Sequence, residues 1–170
     1  MSTDLHKTFV NSIVLRIGES LDRIDTCLKL LTDDLIWERK NTQTSSVGNL
    51  ILHLNGNIRQ YILSGLGGEK DIRQRDKEFD IGSRIGKKEL WSKHKVLVLE
   101  ALKIIQSLND QDLSKKIRVQ GFDTNPTDVL VHVTEHYSYH TGQIALLTKL
   151  ITAKDLEFFK GQDLNVLNDL

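Results

Sequence analysis

Proline is almost missing from this 170-residue sequence, where Pro126 is the only one. β-Branched alternation is scarce as well, so the chain reads as helices joined by polar loops. Cysteine is equally rare. Cys27 stands alone, which excludes an intrachain disulfide and fits a reducing compartment. Neither sign of charge is in excess: 23 basic residues face 23 acidic ones. No summed field is left to hold a polyanion, which argues against a nucleic-acid partner bound through its phosphates. Long hydrophobic runs are missing too. No stretch approaches the ~18 apolar residues of a membrane span, and MSTDLHKTFV carries His6 and Lys7 where a signal peptide needs an apolar segment. The expectation is a cytoplasmic, soluble chain with no membrane and no nucleic-acid partner. With 39% hydrophobic and 27% charged residues, the length suits one ordinary core, and residues 1–170 read as a single domain.

What is present is helical periodicity. Phe9, Ile13, Ile17, Leu21, Ile24, Leu28 and Leu31 recur mostly at threes and fours, marking a first helix over about residues 5–31. Ser45 or Ser46 offers an N-cap to a second helix through VGNLILHLNGNIRQYILSG, which Gly65, Gly67 and Gly68 end. A third helix covers about 87–108. The fourth opens with Thr124 or Asn125 as cap and Pro126 in its first turn, and runs to about Thr152. Four amphipathic helices bury their stripes most simply as an all-α four-helix bundle. The connection GGEKDIRQRDKEFDIGSRIG is longer than a bundle needs; it reads as a polar loop, with a lid or a crossover as other uses of its length. KKIRVQGFDTN has room for a short strand.

HVTEHYSYHTGQ places His132, His136 and His140 four residues apart in a chain with six histidines. At about 100° per residue, Val129, Val133, Ile144, Leu147 and Ile151 lie within roughly 40° of His140, and His136 lies about 40° to one side. His136 and His140 therefore sit within the apolar stripe, while His132, about 80° away, is marginal. Two inward imidazoles one turn apart offer two nitrogens to a single metal. A third ligand must come from another helix, and spacing leaves two candidates open. His53 shares its face with Asn49, Gly56, Asn57 and Gln60, which alone reads as a solvated face; His94 sits in the third helix's stripe with Leu97 and Ala101.

HVTEHYSYHTGQIALL resembles the last-helix motif of the DinB/YfiT-like superfamily of metal-binding four-helix bundles, in which HxxxHxGQ follows an apolar run. SSVGNLILHLNGNIRQYI is similar to its second-helix motif, where a polar residue and an apolar pair precede one histidine. With a tryptophan-containing loop at Trp37, the likeness covers most of the chain in order. SGLGG and DIRQRDKEF further resemble a branch with no assigned activity. The resemblance implies a divalent metal ion, zinc or nickel foremost, held by His53, His136 and His140. It implies a pocket with His132, Asn49, Asn57 and Gln143 beside the ion, His94 as a satisfied core histidine, and a homodimer, to which the apolar tail LEFFKGQDLNVL adds support. Characterised relatives include metal-dependent thiol transferases, so the implied activity is transfer of a low-molecular-weight thiol to an electrophile. A metal-dependent hydrolase and a non-catalytic metal-binding bundle of a stress response are the other readings.

Outside the motifs, Glu135 points away from the histidine face, Cys27 reads as a packing residue and His6 as a surface one. Asp71, Arg73, Arg75, Asp76 and Glu78 mix both signs and read as a solvated loop. Were that loop to fold over the pocket, Arg73 or Arg75 would meet a substrate carboxylate.

Overall fold

Side-chain acceptors placed just ahead of apolar stripes start two of the long helices. The computed structural model describes residues 5–80, 82 and 84–168. Its long helices are α1 (Leu5–Leu30), α2 (Val47–Ile58), α3 (Lys87–Ser107) and α5 (Pro126–Thr152). A short α4 (Asp110–Leu113) and a hairpin of β1 (Ile117–Val119) with β2 (Phe122–Thr124) fill the last connection, where the sequence shows room for one strand. Ser46 and Asn49 form a reciprocal capping box at α2, and the Asn125 side chain accepts from Asp128 N ahead of Pro126. α3 lacks a side-chain cap of its own; Lys87 N donates instead to Asp33 Oδ1 at 2.6 Å.

The second helix does not wind uniformly to its glycines. Arg59–Ser64 form a wider π-helical turn, closed by Gly65 N to Gln60 O at 3.1 Å and Gly67 N to Ile62 O at 2.8 Å. A side chain at Gly65 would press on Tyr61 O and Val119, so the exit from this turn needs glycine.

α1 packs on α3 and α5, and α2 packs on the same two helices. The first two helices therefore lie on a diagonal. The connection that crosses the bundle is the one from α1 to α2, whereas the long one from α2 to α3 joins neighbours and is no crossover. Trp37 pins both connections: its Nε1 donates to Ile85 O at 3.1 Å, and its ring lies where a Cβ on Gly48 would be. The core runs through Ile24, Ile51, Leu54, Leu90, Val98, Leu130 and Ile144, each contributing roughly 1.5–3 kcal/mol by burial. Cys27 is fully buried among them as a packing residue, and burial pushes its thiol pKa up. No described helix is long and apolar enough to cross a membrane.

Two histidines outside the paired motif are structural. His6 is mostly covered rather than a surface residue, because its Nε2 donates to Leu108 O at 2.6 Å and satisfies a carbonyl at the end of α3. His94 is completely buried. Its Nδ1 lies 2.7 Å from Asn55 Oδ1 and its Nε2 2.6 Å from Tyr137 Oη, joining three helices. Nδ1–H donates to the asparagine and Nε2 accepts from the phenol, so a neutral ring leaves neither nitrogen unpaired.

Burial holds the His94 pKa down to about 3, against 6.5 ordinarily. A histidine that must stay neutral contributes stability that is present above its unfolded pKa and lost as pH falls toward the folded one. Denaturant unfolding of the metal-free protein should show the advantage of wild type over His94→Gln shrinking by about 3 kcal/mol between pH 6.5 and about pH 4. A difference constant across that window would show that His94 charges freely in the fold.

Candidate metal centre

The polar face of α2 is buried. Asn49, His53, Asn57 and Gln60 are all at most 9% exposed, which overturns their reading as a solvated face. Over Asn49, His53 and Gln60 lies the connection after Gly68, folded back on the second helix through a 3-10 turn at Arg75–Glu78. Asn49 Nδ2 donates to Glu78 O at 3.0 Å, and Arg39 donates to both Asn49 Oδ1 and Phe79 O. A polar loop thus supplies partners to Asn49, His53 and Gln60 on a polar helix face.

Glu78 is the centre of that contact. Its Oε2 accepts from His53 Nδ1 at 2.7 Å, and Arg73 grips both its oxygens at 2.7 and 3.0 Å. Arg73 also donates to Gln60 Oε1, and Gln60 donates to Asp71. Burial acts to raise the Glu78 pKa, but the hydrogen bonds from His53 and Arg73 and the guanidinium charge outweigh it, leaving the carboxyl below its ordinary value. Glu78 is therefore ionised, and His53 Nδ1 must carry a proton toward it. Gly56 makes this possible, because a Cβ there would overlap Glu78 Oε1 and lie 2.7 Å from its Cδ. Arg73 and Glu78 are thus not solvated, while Asp71, Arg75 and Asp76 are exposed as the mixed charge suggests. Sequence reasoning missed Glu78; the available signal was the glycine inside a helical stretch three residues after His53, which marks a close approach.

His136 and His140 project from α5, the helix adjacent to α2. His136 Nε2 lies 3.0 Å from His53 Nε2 and 3.2 Å from His140 Nε2. One nitrogen from each of the three rings falls within 4.8 Å of the others. His140 Nδ1 lies 2.7 Å from Gln143 Oε1, an acceptor, so it too is a donor. With Nδ1 protonated on His53 and His140, both of their Nε2 atoms present lone pairs to His136 Nε2. One proton on His136 can answer only one of them, and its Nδ1 is buried without a partner. Burial first, then the neighbouring His140 and His53, lowers the His136 pKa to about 3, so a second proton is not available. Burial likewise lowers the His140 pKa. The residues fit a divalent cation: they are neutral donors, and nitrogens about 2.0–2.1 Å from an ion in a tetrahedral arrangement are about 3.3 Å apart.

The other expected site residues divide. Gln143 holds His140 and lines a cavity of about 370 Å³ that His140, Phe79 and Leu147 also line. Asn49 is occupied by the capping box, Arg39 and Glu78. Asn57 is buried with an unpartnered Oδ1. His132 is exposed, stacked on His136 at 5.6 Å between ring centroids and close to Tyr61 at 4.6 Å. His94 is not in the cluster, so spacing's other candidate is settled by the fold.

A protein-family model described as "Protein of unknown function (DUF1572)" matches residues 4–160. The chain belongs to the DUF1572 family. A DinB-like protein from Bacillus cereus ATCC 10987 has a similar solved structure, with a TM-score of 0.62 and 19% identity over 84% of this chain and 89% of that one. At that identity the likeness establishes the fold, and the DinB/YfiT-like resemblance of the two motifs holds at that level. The comparison with curated proteins gives no match.

Proposed function

We propose that this DUF1572 protein holds one divalent ion on His53, His136 and His140 and uses it to transfer a low-molecular-weight thiol to an electrophile. The observation that carries the reading is the convergence of three Nε2 atoms whose tautomers Glu78 and Gln143 set. When bound, the ion supplies a Lewis acid that brings the pKa of a thiol from about 8.5 toward neutrality. Three imidazoles suit zinc or nickel. The chain's own part is to hold three neutral donors with one position left for an outside ligand. The thiol proton leaves to solvent; the sulfur pair forms the new S–C bond, and the electrophile's leaving group departs with the bonding pair. Cys27 is buried away in the core, so the nucleophile comes from solution.

Metal holding without catalysis is the second reading, and it calls for a fourth protein ligand; His94, the nearest sequence candidate, is engaged by Asn55 and Tyr137. Hydrolysis of a small substrate by the same centre is the third. A cytoplasmic location and a homodimer belong to the proposal as well, the homodimer supported by Leu164, Val166 and Leu167 standing exposed in the tail. Light scattering that returns a mass near 19.4 kDa would refute the dimer.

Cobalt substitution tests the activity. A small thiol added near neutral pH should give a sulfur-to-cobalt charge-transfer band, and conjugation to a generic electrophile should run faster with metal than with apo protein or His140→Ala. A cobalt spectrum that no cellular thiol alters would sink the transferase reading and leave the non-catalytic one.

A further inference from the structure

Among the described residues, the cavity beside His140 is lined by no carboxylate, lysine or arginine. Its apolar walls are Leu50, Phe79, Leu146 and Leu147, and beside His140 its polar groups are those of Gln43, Thr44, Ser45, Tyr139 and Gln143. Its volume of about 370 Å³ lies within the range of small-molecule sites. Phe79 ties it to the metal centre, for its ring also packs on His53 at 5.2 Å. The nearby arginines are engaged with other groups and are not in its lining. Arg73 is on Glu78, Arg39 donates to Asn49 and Phe79 O, and Arg75 lies 5.5 Å from the Phe79 ring centroid. A second cavity, between α2 and the loop, is lined by Arg59, Arg73, Lys77 and Glu78 but touches none of the three histidines. The charged cavity and the one that His140 lines are thus separate.

We propose that the chamber beside His140 takes an uncharged, apolar small molecule as the electrophile, and discriminates against carboxylates and phosphates. It rests on the metal reading for the chemistry that follows binding, not for the binding itself. An anion entering between Phe79 and Leu147 would lose water with no side-chain cation of the described lining to replace it, whereas a neutral ring loses little and buries its faces. Gln143 and Ser45 supply enough polarity to orient a neutral carbonyl or nitro group.

The test compares 4-nitrobenzyl alcohol with its anionic isostere 4-nitrobenzoate by ligand-observed NMR at pH 7, on metal-stripped full-length protein, where no ion can draw the carboxylate. The alcohol should bind with Kd on the order of 1 mM, and the benzoate at least about tenfold more weakly. Leu146→Lys, at a rim position 58% exposed, should bring the two within about threefold by giving the anion a partner. Leu150→Lys, one turn along the same exposed face and outside the lining, should leave the ratio unchanged. Equal binding of the two probes to wild type, no binding of the alcohol, or an equal effect of both lysine variants would each overturn the proposal. Its failure is separable from that of the metal centre. Discrimination in a protein that takes up no metal removes the centre and keeps the chamber, and metal uptake without discrimination does the reverse.

Discussion

His136→Ala should abolish tight binding of a divalent ion, lowering affinity by more than the 10–100-fold typical of losing a residue that only orients a ligand. His136 is the middle of the cluster, 3.0 Å from one partner nitrogen and 3.2 Å from the other, so its removal leaves His53 and His140 as an incomplete pair. In wild type, metal at about 1,000 times Kd should stabilise the fold by about 4 kcal/mol, seen as a rise in Tm; the variant should show no such rise. Elemental analysis of His53→Ala and His140→Ala should give the same loss, while His132→Ala and His94→Ala retain about one ion per chain. An empty site in His94→Ala together with a filled one in His53→Ala would assign the third ligand wrongly here. Without added metal, His136→Ala should fold at least as well as wild type does, because it relieves the close nitrogen contact that a single proton on His136 leaves unanswered.

The second large effect is expected from one methyl group. Gly56→Ala in an ordinary helix stabilises by up to about 1 kcal/mol, and here the sign should reverse. The new Cβ would collide with Glu78 Oε1 and come within 3.0 Å of Arg73 Nε, both in a buried ion pair that cannot swing into solvent without opening the loop. Glu78 would leave His53 Nδ1, the tautomer with a free Nε2 would lose its support, and metal affinity should drop about 10–100-fold. Limited proteolysis should cut the 69–80 segment faster than in wild type. Glu78→Gln, which keeps the shape and an acceptor oxygen, should lose less affinity than Gly56→Ala. If Gly56→Ala is more stable than wild type and binds metal equally well, Glu78 has no part in holding His53.

Much of the architecture is legible because helical signals are local. The stripe from Phe9 to Leu31, the cap at Asn125 before Pro126, and the inward HxxxH pair each depend on residues within one or two turns. The histidine set required more. On a wheel, His53 sits with Asn49, Asn57 and Gln60, and polarity on a helix face ordinarily means water. Only the two-motif resemblance pointed to His53, and it carried no information about what lies over it.

The sequence by itself determined the four long helices, the buried place of His94 and the pairing of His136 with His140 on one face. These follow from hydropathy read at a period of 3.6, a property each segment carries with it. The tertiary structure decided the diagonal placing of α1 and α2, the burial of the polar face of α2, and the Glu78 carboxylate on His53 across 25 positions of chain. Those depend on where a long polar connection comes to rest. Arg73 and Glu78 neutralise each other and satisfy His53 and Gln60 on the second helix, so these two side chains are covered inside a loop that is otherwise exposed; periodicity registers polarity but not the partner that answers it.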